Sequence, residues 1–244
     1  MSIGLRNTSR FLQNAMGEVC NTIININKVD ADMHLIMPIY TSSEKAPINV
    51  SLIMTLSNIN EISEFGKGVK LNYNRIVEKA QTSTGEVMFR TYNPDGSVDE
   101  FYKDNSDDAP IDPPIYRCNR TLEIIKETNE YEGEEIVSPN PLCTKIVGSS
   151  QTEYIYNQVN YNVNENYPYK IKYANGSFLE FIFRVDKSLE YIRSSQNELV
   201  LFTNSDKYYI YIYRYEQLIQ TVQITKAISN PFLKYIGYIN KNNK

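Results

Sequence analysis

Five tyrosines are concentrated in residues 208–215, and their spacing could create an aromatic binding surface. If this segment is a β-strand, its side chains alternate between the two faces of a sheet. Tyr209, Tyr211, Tyr213 and Tyr215 would then share one face, and Tyr208 would lie on the other with the two isoleucines. An open row of phenol rings could bind a sugar or a protein partner. The alternative is that the rings pack against neighbouring strands within the sheet.

Residues able to act in catalysis are present, but they do not combine into a recognisable active site. Glu100 and Glu180 occupy equivalent places in two similar segments and could form the carboxylate pair of a glycosidase. The repetition of the segments explains their equivalence more simply. His34 is the single histidine and has no evident nucleophile as a partner. We therefore expect a protein that is not an enzyme and has no catalytic residues, with a hydrolase of unrecognised site as an alternative.

The sequence patterns point to neither a metal ion nor a cofactor. The acidic run 104–112 lacks the glycine and the distal glutamate of an EF-hand loop. Gly66 and Gly68 are separated by one lysine, but a strand follows them, whereas a phosphate cradle needs the N-terminal amides of a helix. The two glycines instead predict a sharp corner between strands.

Composition limits the classes of protein to consider. The chain has 244 residues, 41% of them hydrophobic and 22% charged, and a net charge of −4. This balance is typical of a globular protein, and the absence of a Lys/Arg cluster argues against a nucleic-acid partner. Cys20, Cys118 and Cys143 fit no zinc pattern, although a Cys118–Cys143 bridge remains open. No apolar run predicts a membrane span or a signal peptide, so we expect a cytoplasmic protein or one exported by a non-classical route.

Two segments about eighty positions apart share one pattern. They are YNPDGSVDEFYK, residues 92–103, and YANGSFLEFIFR, residues 173–184. Both begin with tyrosine, turn at Asp95-Gly96 or Asn175-Gly176 followed by serine, and continue towards Glu-Phe. Asp-Gly and Asn-Gly favour tight hairpin turns because both residues accept positive φ. Each segment is therefore predicted to be a β-hairpin.

The elements that position these candidate residues are predicted to be mainly β-strands. Residues 1–30 are predicted to form a helical segment, residues 31–127 a first β region with the NPDGS hairpin, and residues 128–150 a polar excursion. Residues 151–244 are predicted to form a meander of short antiparallel strands. The helix is predicted from an apolar stripe at helical spacing. Its members are Leu5, Leu12, Met16, Val19 and Ile23. The expected fold is an antiparallel meander that forms one twisted sheet or two packed sheets.

The order of these segments resembles that of RHS or YD-repeat proteins, over about residues 48–226. FGKGVKLNY, residues 65–73, is similar to the family's "G-x-G-W-x-L-x-Y" segment, and YNPDGSVDEFY is similar to the hairpin that follows it. Two departures stand out. Val69 replaces the family's usual tryptophan, and the Tyr-Asp pair appears as Tyr215-Glu216 without the glycine expected after it. The chain therefore resembles a truncated, degenerate region that leads into such repeats.

This resemblance implies a non-enzymatic structural or interaction scaffold of a bacterial surface, secretion or toxin-delivery system. Its expected partner is another protein or a further stretch of β-sheet. A carbohydrate- or ligand-binding module that uses the tyrosines is the alternative, with a glycan as its ligand. The two can be distinguished by the exposure of the edge strands and of the tyrosine row.

Overall fold

The computed structural model describes a chain built from β-strands. It describes residues 23–26, 33–42, 45–55, 62–106, 109–110, 113–128, 130–131, 134–135, 143–148, 150–157, 165–203, 208–226 and 233–239. Within these ranges every regular element is a strand, and no helix is long and apolar enough to span a membrane. The predicted mainly β, antiparallel fold is confirmed.

The first eleven strands are β1 (Ile23–Ile26), β2 (Met33–Thr41), β3 (Asn49–Thr55), β4 (Ile62–Ser63), β5 (Gly66–Lys67), β6 (Val69–Leu71), β7 (Ile76–Gln81), β8 (Val87–Tyr92), β9 (Val98–Lys103), β10 (Ile115–Arg117) and β11 (Ile124–Thr128). The others are β12 (Glu130–Tyr131), β13 (Glu134–Glu135), β14 (Cys143–Val147), β15 (Glu153–Asn157), β16 (Lys170–Lys172), β17 (Phe178–Phe183), β18 (Leu189–Ser194), β19 (Glu198–Phe202), β20 (Tyr208–Arg214), β21 (Gln217–Lys226) and β22 (Leu233–Ile239).

Two sheets contain most of these strands. A 14-stranded sheet runs from β7 to β22 in chain order, without β12 and β13, and all of its pairs are antiparallel. A 4-stranded sheet has the order β1-β2-β3-β6. The short strands β4 with β5, and β12 with β13, form two separate ribbons. Consecutive pairing of this kind follows from short polar links, which join antiparallel neighbours.

One turn geometry recurs along the large sheet. It occurs in five segments of five residues each: 82–86, 93–97, 148–152, 173–177 and 184–188. In each segment the N–H of the first residue donates a hydrogen bond to the carbonyl of the fifth, and the N–H of the fourth residue donates to the carbonyl of the first. Gly96 and Gly176 have φ of 82° at the fourth position, whereas Asp95 and Asn175 before them do not have positive φ. The hairpins are therefore three-residue loops with one left-handed residue, not the two-residue turns that the dipeptides predict.

The carboxamide or carboxylate before the left-handed residue stabilises this turn. Asp95 Oδ1 accepts hydrogen bonds from the N–H of Ser97, at 3.0 Å, and from its hydroxyl, at 2.7 Å. Asn175 Oδ1 accepts the corresponding pair from Ser177 at 2.9 and 2.5 Å. The shared sequence pattern thus specifies a turn rather than a catalytic motif.

The first hydrophobic core joins the two sheets. Leu52, Phe65 and Leu71, from the small sheet and its corner, pack with large-sheet residues such as Phe181 and Phe202, and all five are fully buried. Phe65 makes edge contacts with Phe202 and with a buried tyrosine. This half of the molecule is therefore a sandwich of β2, β3 and β6 on β16–β21.

A second core lies within the first strands of the large sheet. Phe89, Phe101, Ile125 and other buried residues of β8–β15 form it. Lys79 on β7 pairs with Glu127 on β11 at 3.0 Å. The two strands are four positions apart, about 19 Å in a flat sheet. The sheet must therefore curl here, and its curvature encloses the second core.

Three predicted elements differ from the structure. Most of the predicted N-terminal helix lies outside the described residues, and Ile23–Ile26, within residues 1–30, is strand β1 instead. The alternation of polar and apolar side chains in residues 69–79 predicts one strand, but β6 belongs to the small sheet and β7 to the large one. The Oδ1 of Asn72, between these two strands, accepts a hydrogen bond from the N–H of Ser51 at 3.0 Å, and this contact holds the bend. Within 128–150, β14 pairs with β11 and β15 and is part of the sheet.

Candidate functional site

The tyrosine row lies on β20, a strand with one face towards the first core and one face away from it. Tyr209, Tyr211 and Tyr213 are half-buried on the face opposite the first core, whereas Tyr208 is fully buried in that core. The rings of Tyr209 and Tyr211 stack with centroids 6.0 Å apart. The three rings are neither fully buried nor fully exposed, so a binding role for this row stays a prediction.

Tyr215 does not share this face, because it lies in the turn after β20. The turn joins Arg214 to Gln217 through Tyr215 and Glu216, whose φ angles are 47° and 63°. Such a two-residue turn normally has asparagine or glycine at these positions. The left-handed backbone costs a bulky residue roughly 1–2 kcal/mol. Tyr215 is 59% exposed.

A groove lies at this end of the sheet, where two turns come together. The N–H of Tyr215 donates to the carbonyl of Asn197 at 2.9 Å and joins the β20–β21 turn to the β18–β19 turn. The groove has a volume of about 610 Å³. We call it the strand-end groove, and its lining includes Arg193, Asn197, Leu199, Tyr213, Tyr215 and Glu216.

Beside this groove, Glu198 connects the two sheets. Its Oε1 accepts hydrogen bonds from the Tyr40 hydroxyl at 2.9 Å and from Arg214 Nε at 3.0 Å. Burial, and then the hydrogen bond to Glu198, raise the pKa of Tyr40. Glu198 Oε2 is buried and has no hydrogen-bond partner among the described residues. The cluster fixes the small sheet to the strand ends that form the groove.

A second cavity adjoins the corner that contains Gly66 and Gly68. The two glycines have φ of 127° and 70°, and the buried Phe65 anchors the corner in the first core. The Ser63 hydroxyl accepts the N–H of Phe65 at 3.0 Å and donates to the carbonyl of Val69. These contacts fix the backbone on both sides of Glu64.

Glu64 is held by two buried tyrosines. The Tyr167 hydroxyl donates to its Oε1 at 3.2 Å, and the Tyr208 hydroxyl donates to its Oε2 at 3.4 Å. Burial, and then the negative charge of Glu64, raise the pKa of both tyrosines, so both remain protonated donors. Asn74, itself buried, hydrogen-bonds with Tyr167. The corner therefore presents a carboxylate of fixed orientation.

The cavity beside Glu64 has a volume of about 320 Å³. Four stretches of chain line it: residues 63–70, residues 74–76, residues 166–167 and residues 186–188. We call it the four-segment pocket. Its charged lining residues are Glu64, Lys70, Asp186 and Lys187.

The sequence matches no family model, and no curated protein matches it either. The resemblance to RHS/YD-repeat proteins therefore rests on the two segments quoted above. Function has to be argued from the geometry of the chain itself.

Charged residues also converge at the edge of the second core. Arg75 donates to both carboxylate oxygens of Glu123, at 3.0 and 2.6 Å, and lies 3.7 Å from Asp99. Asp99 also forms a salt bridge with Arg120, and its Oδ1 lies 3.9 Å from the Sγ of Cys118. Cys118 is a buried free thiol, so it forms no bridge with Cys143. The buried Nε of Arg75 has no hydrogen-bond partner among the described residues, but the charges of the cluster pair with one another, so the cluster serves as a cross-link.

The other candidate residues of the sequence do not converge. Glu100 pairs with Arg90 across the hairpin of its shared turn. Glu180 pairs with Lys170 across the equivalent hairpin and with Arg193 across the next one. His34 lies in β2, and its side chain is outside the described residues. No group of three or more His, Cys, Asp or Glu side chains among the described residues is arranged to hold a metal ion.

Sequence patterns missed the four-segment pocket because residues 63–76, 166–167 and 186–188, which line it, lie far apart in the sequence. Glu64 stands in a polar segment, and Tyr167 lies in the Asn- and Tyr-rich run before β16. One signal was available. Tyr208 is on the inner face by alternation, and a buried phenol needs a hydrogen-bond partner.

Proposed function

We propose that this chain is a non-enzymatic β-scaffold that binds a protein partner by accepting a further strand at β22. In keeping with the RHS/YD-repeat resemblance, we place it in a bacterial surface, secretion or toxin-delivery system. The single observation that carries the proposal is the difference between the two edges of the large sheet.

The β7 edge has the charges that natural proteins use to prevent pairing. Glu78 and Lys79 are exposed there. Glu78 accepts the Tyr92 hydroxyl at 2.6 Å, and Lys79 pairs with Glu127 at 3.0 Å. The edge is thus charged and tied to the rest of the sheet.

The β22 edge has fewer protective charges than the β7 edge. Its sequence is LKYIGYI, in which Lys234 is the one charged residue. Among the described residues, β22 pairs with β21 on one side and with no strand on the other. Unpaired N–H and C=O groups on an apolar strand are a template for strand addition.

The proposal is tested by placing charges on β22. Tyr235→Lys combined with Gly237→Lys puts two lysines on one face of the strand, because these residues are opposite Thr225 and Gln223. We expect the unmodified chain to self-associate as its concentration rises, since two β22 edges can pair, and the double variant to remain monomeric. Sedimentation velocity measures this.

The matched control is Glu78→Lys with Ala80→Lys, which puts two lysines on one face of the β7 edge and should leave self-association unchanged. If the unmodified chain is monomeric at every concentration, or if both double variants behave alike, the β22 proposal is wrong.

A ligand-binding module is the second candidate function, and the strand-end groove favours it. Tyr213 and the exposed Tyr215 give the groove an aromatic wall, and its volume of about 610 Å³ is within the usual range of ligand pockets, about 300–1,000 Å³. This candidate, with a glycan as the ligand, requires occupancy of the groove rather than a partner at β22.

A further inference from the structure

The four-segment pocket contains a carboxylate whose position is supported from several directions. Phe65 anchors the corner in the core, and the Ser63 hydroxyl bridges its backbone. Tyr167 and Tyr208 then hold the two oxygens of Glu64. Pre-organisation of a charged group by buried neighbours is a property of binding sites, because the group pays no ordering entropy when a ligand arrives.

The charges that line the pocket are balanced. Glu64 and Asp186 contribute two carboxylates, and Lys70 and Lys187 contribute two ammonium groups. A ligand with one kind of charge would meet like charges as well as opposite ones, and like-charge contacts oppose binding. A small molecule with both a positive and a negative end can place each against its opposite.

The volume of the pocket limits the size of that molecule. About 320 Å³ is at the lower end of the usual range of ligand pockets, about 300–1,000 Å³. A pocket of this size suits a small molecule such as a free amino acid rather than a folded peptide segment.

We infer that the four-segment pocket binds a free α-amino acid. The ammonium group of the ligand faces Glu64 and Asp186, and its carboxylate faces Lys70 or Lys187. Asn74 and Asn166 provide neutral polar contacts on the walls. This inference is independent of strand addition at β22, so failure of either leaves the other in place.

The test is calorimetric titration of the full chain with each standard α-amino acid. Ethylamine and propionate, each with one of the two charged groups of alanine, are the controls for the ligand. We expect at least one amino acid to bind and neither single-charge compound to match it. In NMR spectra, the bound amino acid should shift the amides of residues 74–76, 166–167 and 186–188.

Two variants test the assigned charges. Glu64→Gln removes the negative charge but keeps an acceptor oxygen for one of the two tyrosines, and we expect it to weaken binding about tenfold or more. The double variant Lys70→Gln with Lys187→Gln should weaken binding through the other end of the ligand. Glu100→Gln, an exposed carboxylate on a distant strand, is the matched control and should have no effect.

The inference is overturned if no amino acid binds, if Glu64→Gln binds as tightly as the unmodified chain, or if ethylamine or propionate binds equally well. Amide shifts confined to other parts of the chain would also overturn it, whatever the affinity.

Discussion

Glu100 and Glu180 show how equivalent sequence positions acquire different energetics. Both follow the shared turn and pair with an arginine across a hairpin. Glu100 is exposed, whereas Glu180 is 8% exposed and also pairs with the buried Lys170 at 3.1 Å. The loss of an ion-pair partner costs much more free energy for a buried charge than for an exposed one.

The pKa of Glu180 leads to a prediction about acid stability. Burial opposes its ionisation, but the hydrogen bonds from Lys170 and Arg193 outweigh burial, and its pKa is lowered. A carboxyl whose pKa is lower when folded stabilises the protein above its unfolded pKa of about 4.3, and this contribution is lost as the pH falls through the folded value. Glu180→Gln should therefore cost about 2–3 kcal/mol near neutral pH, and progressively less below pH ~4.

Urea unfolding of both proteins over a series of pH values measures this difference. Glu100→Gln, at the equivalent position, should have little effect at any pH, because water already surrounds that carboxylate. A Glu180→Gln deficit that does not shrink in acid would show that the lost interaction is not the ionised pair.

At the level of the turn, the sequence predicted where the hairpins are better than it predicted the geometry of their turns. Asp95-Gly96 and Asn175-Gly176 are turn dipeptides wherever they occur between strands, so the hairpins could be located. The left-handed residue of the same turn at 148–152 and 184–188 could not be predicted, because Gln151 and Lys187 occupy that position, with φ of 58° and 64°. The neighbouring hydrogen bonds impose a backbone conformation that their side chains do not prefer.

Exchanging residues at this position should have opposite effects in two hairpins. At Gly176 an added Cβ meets no heavy atom within 4 Å, so Gly176→Ala reports the backbone cost alone and should destabilise by about 0.5–1 kcal/mol. Gln151 is exposed and left-handed, so Gln151→Gly should stabilise by a similar amount.

Equilibrium denaturation of the two variants measures both values. Gly85→Ala provides a second example, because Gly85 has φ of 86° and equally open surroundings. Destabilisation by Gln151→Gly would mean that the unfolded-state entropy of glycine exceeds the left-handed cost at this turn.

On the scale of the whole chain, alternation predicted the inner and outer faces of β20, and consecutive polar links predicted the meander. Neither pattern could show that β6 and β7 belong to different sheets, because the bend depends on Asn72 and the strand beside it. The pairing of Glu64 with Tyr167 and Tyr208 was equally out of reach, since it joins residues more than a hundred positions apart. Long-range contacts of this kind decide the candidate site, and local patterns decide the strands.

The two cores of the large sheet should respond separately to mutation. Each strand of a meander contacts mainly its neighbours, as in repeat proteins, so stability can differ along the sheet. Tyr154 packs against both cores, but Phe101 belongs to the second and Phe202 to the first, and both are fully buried. Each Phe→Ala change should cost about 3–5 kcal/mol in its own core.

Amide hydrogen exchange locates that cost. Phe101→Ala should accelerate exchange in β8–β10 while β19 and β20 keep their protection, and Phe202→Ala should do the reverse. Tyr102→Ala, next to Phe101 but 46% exposed, should change neither region. Equal acceleration in both regions by either core variant would mean that the curled half and the sandwich half unfold together. The continuous backbone pairing through β15 and β16 would then couple the two halves more strongly than their separate cores divide them.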